Sequence, residues 1–535
     1  MTRQTILFLL IATATLQAEK FYADDPIMTH PAPQNVETVR PRRINEYYDF
    51  FQNLMFKPGQ IQAKTGVAVP AKAVNTLGEV PDSEWYTNRH GRSRMSIEAL
   101  ERGPGNTAPP SMGKTWKVTS AKSEGITPGF TIADGDGRRY LLKFDPPSHP
   151  ELASAADVLS SKFLHALGYN VPANYIVRFR PEQLAVDTDS TFVDHYGERR
   201  LMTERDLKAI VEKVKADKNG FIRALASRFV PGTPVGAFRY HGTRADDPND
   251  TVPHEHRRDL RGLRVFAAWL GHDDSKALNT LDTLLEENGV KYVKHYLIDF
   301  GASLGSASYG PNSPRSGNEY LFGWGEASRQ FLSLGLLVPR WAKAKYNNIP
   351  AVGAFEFDVF DPDRWVPEYP NSAFLNMDAE DAYWAAKQVM AFTEDEIRAI
   401  VQTGEYSDEA ATEWVVRCLI ERRNKIGRAF LSRVLPLDRF AVRNGELVFE
   451  DLGATYLALP SPVQVQWHSL ENRSGELQEI AGATTFAVPS HSKSSYLAAE
   501  IREGARSMRV YVRNRREVVG REIGGPPEVR LLTRR

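Results

Sequence analysis

The chain is predicted to be α+β, with two lobes followed by an all-β, sandwich-like module. Three observations predict it. Between 111 and 232, short alternating runs are separated by turn signals such as Asp134-Gly135-Asp136-Gly137. Between 233 and 435, apolar residues recur at helical spacing in several long segments. From 436 to 535 that periodicity gives way to short alternating strands, among them Glu446–Glu450, Val463–Trp467, Thr484–Val488, Tyr496–Ile501 and Met508–Val512. Residues 1–18 read as a leader and 19–110 as an extended arm.

The 535 residues suffice for more than one core. Lys and Arg number 67, as do Asp and Glu, which removes any global electrostatic argument for a nucleic-acid partner. Arg3, the apolar run Ile6 to Thr15, and the small residues Ala12, Ala14 and Ala18 form a secretion signal too short to span a membrane. The mature chain is therefore expected to be periplasmic or secreted, and it has no second long apolar segment. The single cysteine, Cys418, lies among Trp414, Val415 and Leu419 and reads as a buried thiol.

In the arm, Tyr47, Tyr48, Phe50, Phe51, Leu54, Met55 and Phe56 suggest a short helix. The remainder reads as a wrap over a neighbouring domain or a partly disordered linker. Gly113-Lys114-Thr115 imitates the end of a phosphate-binding loop, but the required earlier glycine is Ala108, and Pro109 and Pro110 stand where a strand should run.

In the first lobe, Lys114 to Thr119 reads as a strand. The loop 120–129 carries Gly125 and Gly129, whose backbone N–H groups, with Ser123 and Thr127, could cover phosphates. In Tyr140-Leu141-Leu142-Lys143-Phe144, alternation puts Tyr140, Leu142 and Phe144 on one face and Leu141 and Lys143 on the other. A lysine there calls for an anion. Helix 151–167 follows, with its stripe of Leu152, Ala155, Ala156, Leu159, Phe163 and Leu167. Glu151 and Asp157 are its candidate acids, at roughly 100° and 140° from the stripe centre, and Glu151 is favoured to meet Lys143. The run Ala224 to Val230, ending at Pro231-Gly232, is the candidate hinge between the lobes.

In the second lobe, the helix Asp259–Leu270 stops at Gly271. Then come His272-Asp273-Asp274-Ser275-Lys276-Ala277-Leu278-Asn279, a hairpin signalled by Asn288-Gly289, and Asp299-Phe300-Gly301. His254-Glu255-His256 reads as a solvated loop, because no third metal ligand lies nearby. Residues 302–330 are rich in Gly, Ser, Asn and Pro, and residues 350–372 form an aromatic, proline-rich arm. Thr393 with Glu396 three residues later reads as a helix cap. The last 35 residues hold ten Arg against four Glu, which reads as a solvated strand face and tail.

H-x-D-x-K-x-x-N followed by D-F-G, in the order helix, loop, hairpin, D-F-G, resembles the protein-kinase-like superfamily over residues 111–435. It is most similar to the persister-toxin, spore-coat and secretory-pathway kinases. The resemblance implies ATP and Mg²⁺. Lys143 would meet the ATP phosphates, with Glu151 its partner, and Gly125 and Gly129 would lie in the lid. Asp274 would be the catalytic base and Lys276 would stabilise the transferred phosphoryl group. Asn279 and Asp299 would be the Mg²⁺ ligands, and 302–330 an activation-type segment. G-x-G-x-x-G and A-P-E are absent; Gly323-Trp324-Gly325-Glu326 lies where A-P-E would stand. The implied activity is phosphoryl transfer to a hydroxyl on a protein, or on a glycan or lipid. The alternatives are AMP transfer and a pseudokinase scaffold whose β module mediates interactions.

Overall fold

The computed structural model describes residues 19–59, 69–105, 108–121, 129–193, 198–322 and 338–524. The leader, Gly125 with Ser123 and Thr127, and Gly323 to Glu326 lie outside the described residues.

The first lobe is a sheet of β1 (Trp116–Ala121), β2 (Gly129–Ala133), β3 (Arg139–Phe144), β4 (Asn174–Phe179), β5 (Leu184–Val193), β6 (Arg199–Leu201) and β7 (Ile222–Arg228), in the order β4-β7-β3-β2-β1-β5-β6. Tyr140, Leu142 and Phe144 of β3 enter a core with Trp116, Phe130 and Phe179. The strand's other face, with Leu141 and Lys143, looks into the interlobe cleft. After β7 the chain passes Pro231-Gly232 and enters β8 (Thr233–Gly236), which pairs with β9 (Thr280–Glu287) in the second lobe. The change of sheet across these few residues makes them the connection between lobes.

In the arm, α1 (Glu46–Phe51) runs into a π-helical turn at Gln52–Phe56, and α2 (Ile97–Arg102) follows. The long helix of the first lobe is α3 (Leu152–Ala166). Its stripe side chains Leu159 and Phe163 join the core of the second lobe, and it also packs on β4 and β7. Nearly every residue of α3 is buried, so it joins the lobes rather than lying on a surface.

The second lobe is mostly helical. After the short α4 (Glu204–Val211) of the first lobe come α5 (Arg258–Leu270), α6 (Ser372–Leu375), α7 (Ala379–Met390), α8 (Glu394–Gln402) and α9 (Glu409–Phe430). Gly271 ends α5 in the left-handed conformation (φ 63°), with Arg422 and Phe355 beside it. β9 turns into β10 (Val290–Leu297) through Asn288 and Gly289, both at positive φ, as a two-residue hairpin requires. Thr393 caps α8 reciprocally with Glu396. Arg258 and Arg261 of α5 meet Asp381 of α7 at 2.9 and 3.3 Å, all three buried.

His254-Glu255-His256 is buried, not solvated as the sequence suggests. His254 pairs with Asp250 at 2.8 Å, His256 meets Arg261 at 2.9 Å, and Glu255 accepts from the N–H of Gly242 at 2.7 Å. The partners lie in the flanking loop and helix, and local charge density gives no hint that they fold over the segment.

The C-terminal module is β-rich, with one short helix. It comprises the hairpin β11 (Leu437–Arg443) and β12 (Glu446–Asp451), the short α10 (Leu452–Leu457), and a five-stranded sheet. The sheet contains β13 (Gln464–Leu470), β14 (Leu477–Glu479), β15 (Tyr496–Glu503), β16 (Arg506–Arg513) and β17 (Glu517–Gly524), in the order β14-β13-β15-β16-β17. One face, with Trp467, Ile501, Met508 and Val510, packs into the helical core. Phe21 of the arm covers the other face beside Tyr511, Ala498 and Val519. The arm is thus a wrap. Trp85 stacks on His295 with ring centroids 3.5 Å apart, Arg94 meets Glu396 at 2.9 Å, and Thr76 donates to the carbonyl of Val519 at 2.5 Å.

Candidate active site

A cleft of about 780 Å³ between the lobes is lined by Lys143, Asp157, Asp274, Lys276, Asn279 and Asp299. Residues scattered over more than 150 positions therefore meet in one place. Backbone bonds explain how. The N–H of Ile298 donates to the carbonyl of Asn279 at 3.0 Å, and Leu304 N–H donates to Leu270 carbonyl at 2.8 Å. The strand before Asp299 and the segment after it are both tied to α5 and its following loop. His272 Nδ1 donates to the carbonyl of Ala302 at 3.0 Å, and its ring meets the edge of the buried Phe300 at 5.7 Å.

Lys143 Nζ lies 2.7 Å from Asp299 Oδ1 and 3.0 Å from Asp157 Oδ2. Burial opposes its charge, but Asp157 and Asp299 hold the ammonium above the usual lysine range. The acid of α3 that meets Lys143 is Asp157. Glu151, favoured by the sequence, is the residue before α3, in the left-handed conformation (φ 72°), and its carboxylate accepts from the N–H of Ser407 at 2.9 Å. The angular argument fails because α3 has no solvent face, so an acid far from the apolar stripe faces the cleft instead. Asp157 Oδ1 also accepts from the N–H of Phe300 at 3.2 Å and from Asn174 Nδ2 at 2.9 Å. One carboxylate thus links Lys143 to the backbone of the Asp299-Phe300-Gly301 turn. Gly129 is the first residue of β2, opposite Lys143 in the β2–β3 ladder, and so lies in a strand and not in the preceding loop.

Asp274 Oδ2 accepts from Asn279 Nδ2 at 2.8 Å, and Asp274 Oδ1 lies 2.7 Å from Lys276 Nζ. Two further acids, which no motif signals, reach the same ammonium. Glu46 of α1 lies 3.1 Å away and Glu368 lies 3.8 Å away. Asp273, inside the motif but assigned no role from sequence, is buried. It accepts from Asn312 Nδ2 at 3.1 Å and from the hydroxyl of Ser316, and so anchors the segment after the D-F-G turn.

Burial and the neighbouring Asp274 push Glu368 up to about 8 from an ordinary 4.5. The folded chain then holds this proton at pH values where the unfolded chain has lost it. The stability Glu368 contributes is full below about pH 4.5 and is lost as pH rises towards 8. Glu368→Gln is therefore expected to melt higher than the wild type at pH 8.5 and at nearly the same temperature at pH 5. Scanning calorimetry at the two pH values checks this, and an equal difference at both would contradict it.

Asn279 and Asp299 offer hard oxygen ligands, which suit Mg²⁺. Among the described residues no group of three or more His, Cys, Asp or Glu is placed to hold a metal alone. Two protein ligands fit a cation that is held jointly by carboxylate or amide oxygens, water and a substrate's phosphates.

No protein-family model and no curated protein matches the chain. Among solved structures it is similar to the Golgi casein kinase with Mn/ADP bound, at 9% identity over 63% of this chain and 76% of that one, with a TM-score of 0.27. It is also similar to the Helicobacter pylori proinflammatory kinase CtkA (12% identity, 59% of this chain and 97% of that one, TM-score 0.30). A third is the Rio2 kinase of Chaetomium thermophilum in its ADP/Mg²⁺-phosphoaspartate complex (14%, 54% and 70%, TM-score 0.20). At these scores the fold assignment rests on the lobes and cleft described above.

Proposed function

We propose that this protein-kinase-like chain is an exported, ATP- and Mg²⁺-dependent phosphotransferase that moves the γ-phosphoryl group onto a hydroxyl of a protein acceptor. The observation that carries the reading is the meeting of Lys143, Asp274, Asn279 and Asp299 in one cleft. Export rests on the leader, and a glycan or lipid hydroxyl is the other acceptor class.

In this reading the adenine ring packs against Leu141, Leu225, Leu278 and Ile298, apolar side chains that line the cleft. Lys143, held charged by two carboxylates, binds the phosphates, and Asp157 orients it. Mg²⁺ held by Asn279 and Asp299 would supply charge neutralisation on the phosphate oxygens. Asp274 accepts the proton of the acceptor hydroxyl as its oxygen bonds to phosphorus and the bond to the ADP oxygen breaks. Lys276, 2.7 Å from Asp274, can reach the transferred group from the same loop.

Asp157→Asn removes one of the two anionic partners of Lys143, the one that orients it from α3, whereas Glu151→Gln leaves both in place. Asp157→Asn is expected to weaken Mg-ATP binding roughly tenfold or more, and Glu151→Gln by less than about twofold. Titration calorimetry on both variants tests the reading. Equal effects would remove Asp157 from the site, and a wild type that binds no Mg-ATP would favour a scaffold.

A further inference from the structure

The phosphoryl-handling lysine faces three acidic side chains. Lys276 Nζ lies within 4 Å of Asp274, Glu46 and Glu368, at 2.7, 3.1 and 3.8 Å. Two of these acids belong to the body of the second lobe. Glu46 comes from the N-terminal arm, 230 positions away, and is the most exposed of the three, its side chain being 58% accessible.

The helix that carries Glu46 is turned inside out. Its exposed side chains are aromatic or apolar: Tyr47, Tyr48 and Phe51, continued in the π-helical turn by Met55 and Phe56. Its buried ones are polar: Asp49, and Asn53 one turn on. The hydroxyl of Tyr369 donates to Asp49 Oδ2 at 2.8 Å, and Phe50 meets the Tyr369 ring edge-on at 5.4 Å. Tyr369 follows Glu368 directly in sequence. On either side the arm is tethered to the lobe, upstream by Arg42 N–H to the Val235 carbonyl at 2.9 Å and downstream by Asn376 Nδ2 to the Gly59 carbonyl at 3.0 Å. A segment fixed at both ends and held between them by a few polar contacts, with little apolar area buried, opens at low free-energy cost.

We propose that α1 is an autoinhibitory cap whose Glu46 occupies Lys276 and competes with the γ-phosphate for it. This rests on the phosphotransferase reading and deepens it. A γ-phosphoryl group brought to Lys276 meets two fixed neighbours, the carboxylate of Asp274 and the carboxyl of Glu368, and neither can leave, since both belong to the lobe itself. Glu46 can leave, because its carboxylate is half in water already and its helix is separable. Lifting α1 exposes Lys276 to the nucleotide, and closing it lowers affinity for the triphosphate selectively. ADP lacks the group for which Glu46 competes.

Calorimetric titration of the full chain with Mg-ATP and with Mg-ADP tests this. Glu46→Gln is expected to tighten Mg-ATP binding about three- to tenfold and to leave Mg-ADP unchanged. Tyr369→Phe keeps Glu46 but loosens its latch, and should move the same ratio in the same direction by less. In a Lys276→Met background Glu46→Gln should have no further effect. An unchanged or weakened Mg-ATP affinity in Glu46→Gln would overturn the cap and make Glu46 a residue that positions Lys276. A wild type that binds neither nucleotide would instead remove the phosphotransferase reading, and the cap with it. Glu46 is exposed, so loss of the fold is not expected to obscure the result.

Discussion

Asp274→Asn is expected to lower phosphoryl transfer by ~10²–10⁴-fold while Mg-ADP binding stays within about twofold. The amide keeps an oxygen that can accept from Asn279 Nδ2, now 2.8 Å from Asp274 Oδ2, so the loop's internal bond survives. Asp273 is unaffected and continues to anchor Asn312 and Ser316. What disappears is the group that can take a proton from the acceptor. Transfer from γ-labelled ATP, read as label on a protein hydroxyl or as free phosphate when water is the acceptor, measures the loss. Transfer that persists at the wild-type rate would take Asp274 out of the chemistry.

The second large effect is on stability. Asp381→Ala is expected to cost about 3–5 kcal/mol, because it leaves the guanidinium groups of Arg258 and Arg261 buried without the carboxylate that both of them meet. Both arginines lie on α5, whose C-terminal end launches the loop carrying Asp274. The neighbouring Glu380, which meets the outer side of Arg258 at 3.0 Å with its own side chain 28% accessible, is the control: Glu380→Ala should cost under about 1 kcal/mol. Urea titration followed by tryptophan fluorescence separates the two variants. Equal costs would show that the buried Asp381 carboxylate is worth no more to the α5–α7 pair than the partly exposed one of Glu380.

Residues that share a local pattern were legible in the sequence. Asp274, Lys276, Asn279 and Asp299 stand in one helix-loop-hairpin run, so their spacing carries their geometry. Lys143 was found by strand alternation, and the structure turns its face of β3 to the cleft. Contacts made across long stretches of chain were not legible. Asp157 lost to Glu151 because a helical projection presumes one solvent face, and α3 has none. Glu368 and Glu46 come from an irregular segment and from the arm, where no periodicity states which way a side chain points. The burial of His254-Glu255-His256 escaped for the same reason: its partners include Asp250 and Gly242 in the preceding loop, Arg261 on the following helix and Trp85 in the arm, whose ring lies 4.7 Å from that of His254. The arm itself read equally well as a wrap or as a linker. What decides between them is Trp85 and Phe21, which are buried against partners more than 200 positions away.

In the proposed function, Lys143, Asp274, Asn279 and Asp299 surround one magnesium nucleotide. The most direct test of this is titration of the full chain with ATP, with and without Mg²⁺, beside Lys143→Ala and Asp299→Ala. The expected result is binding by the wild type that needs Mg²⁺ and is lost in both variants. ATP binding that is indifferent to Mg²⁺, or that survives both substitutions, would contradict it.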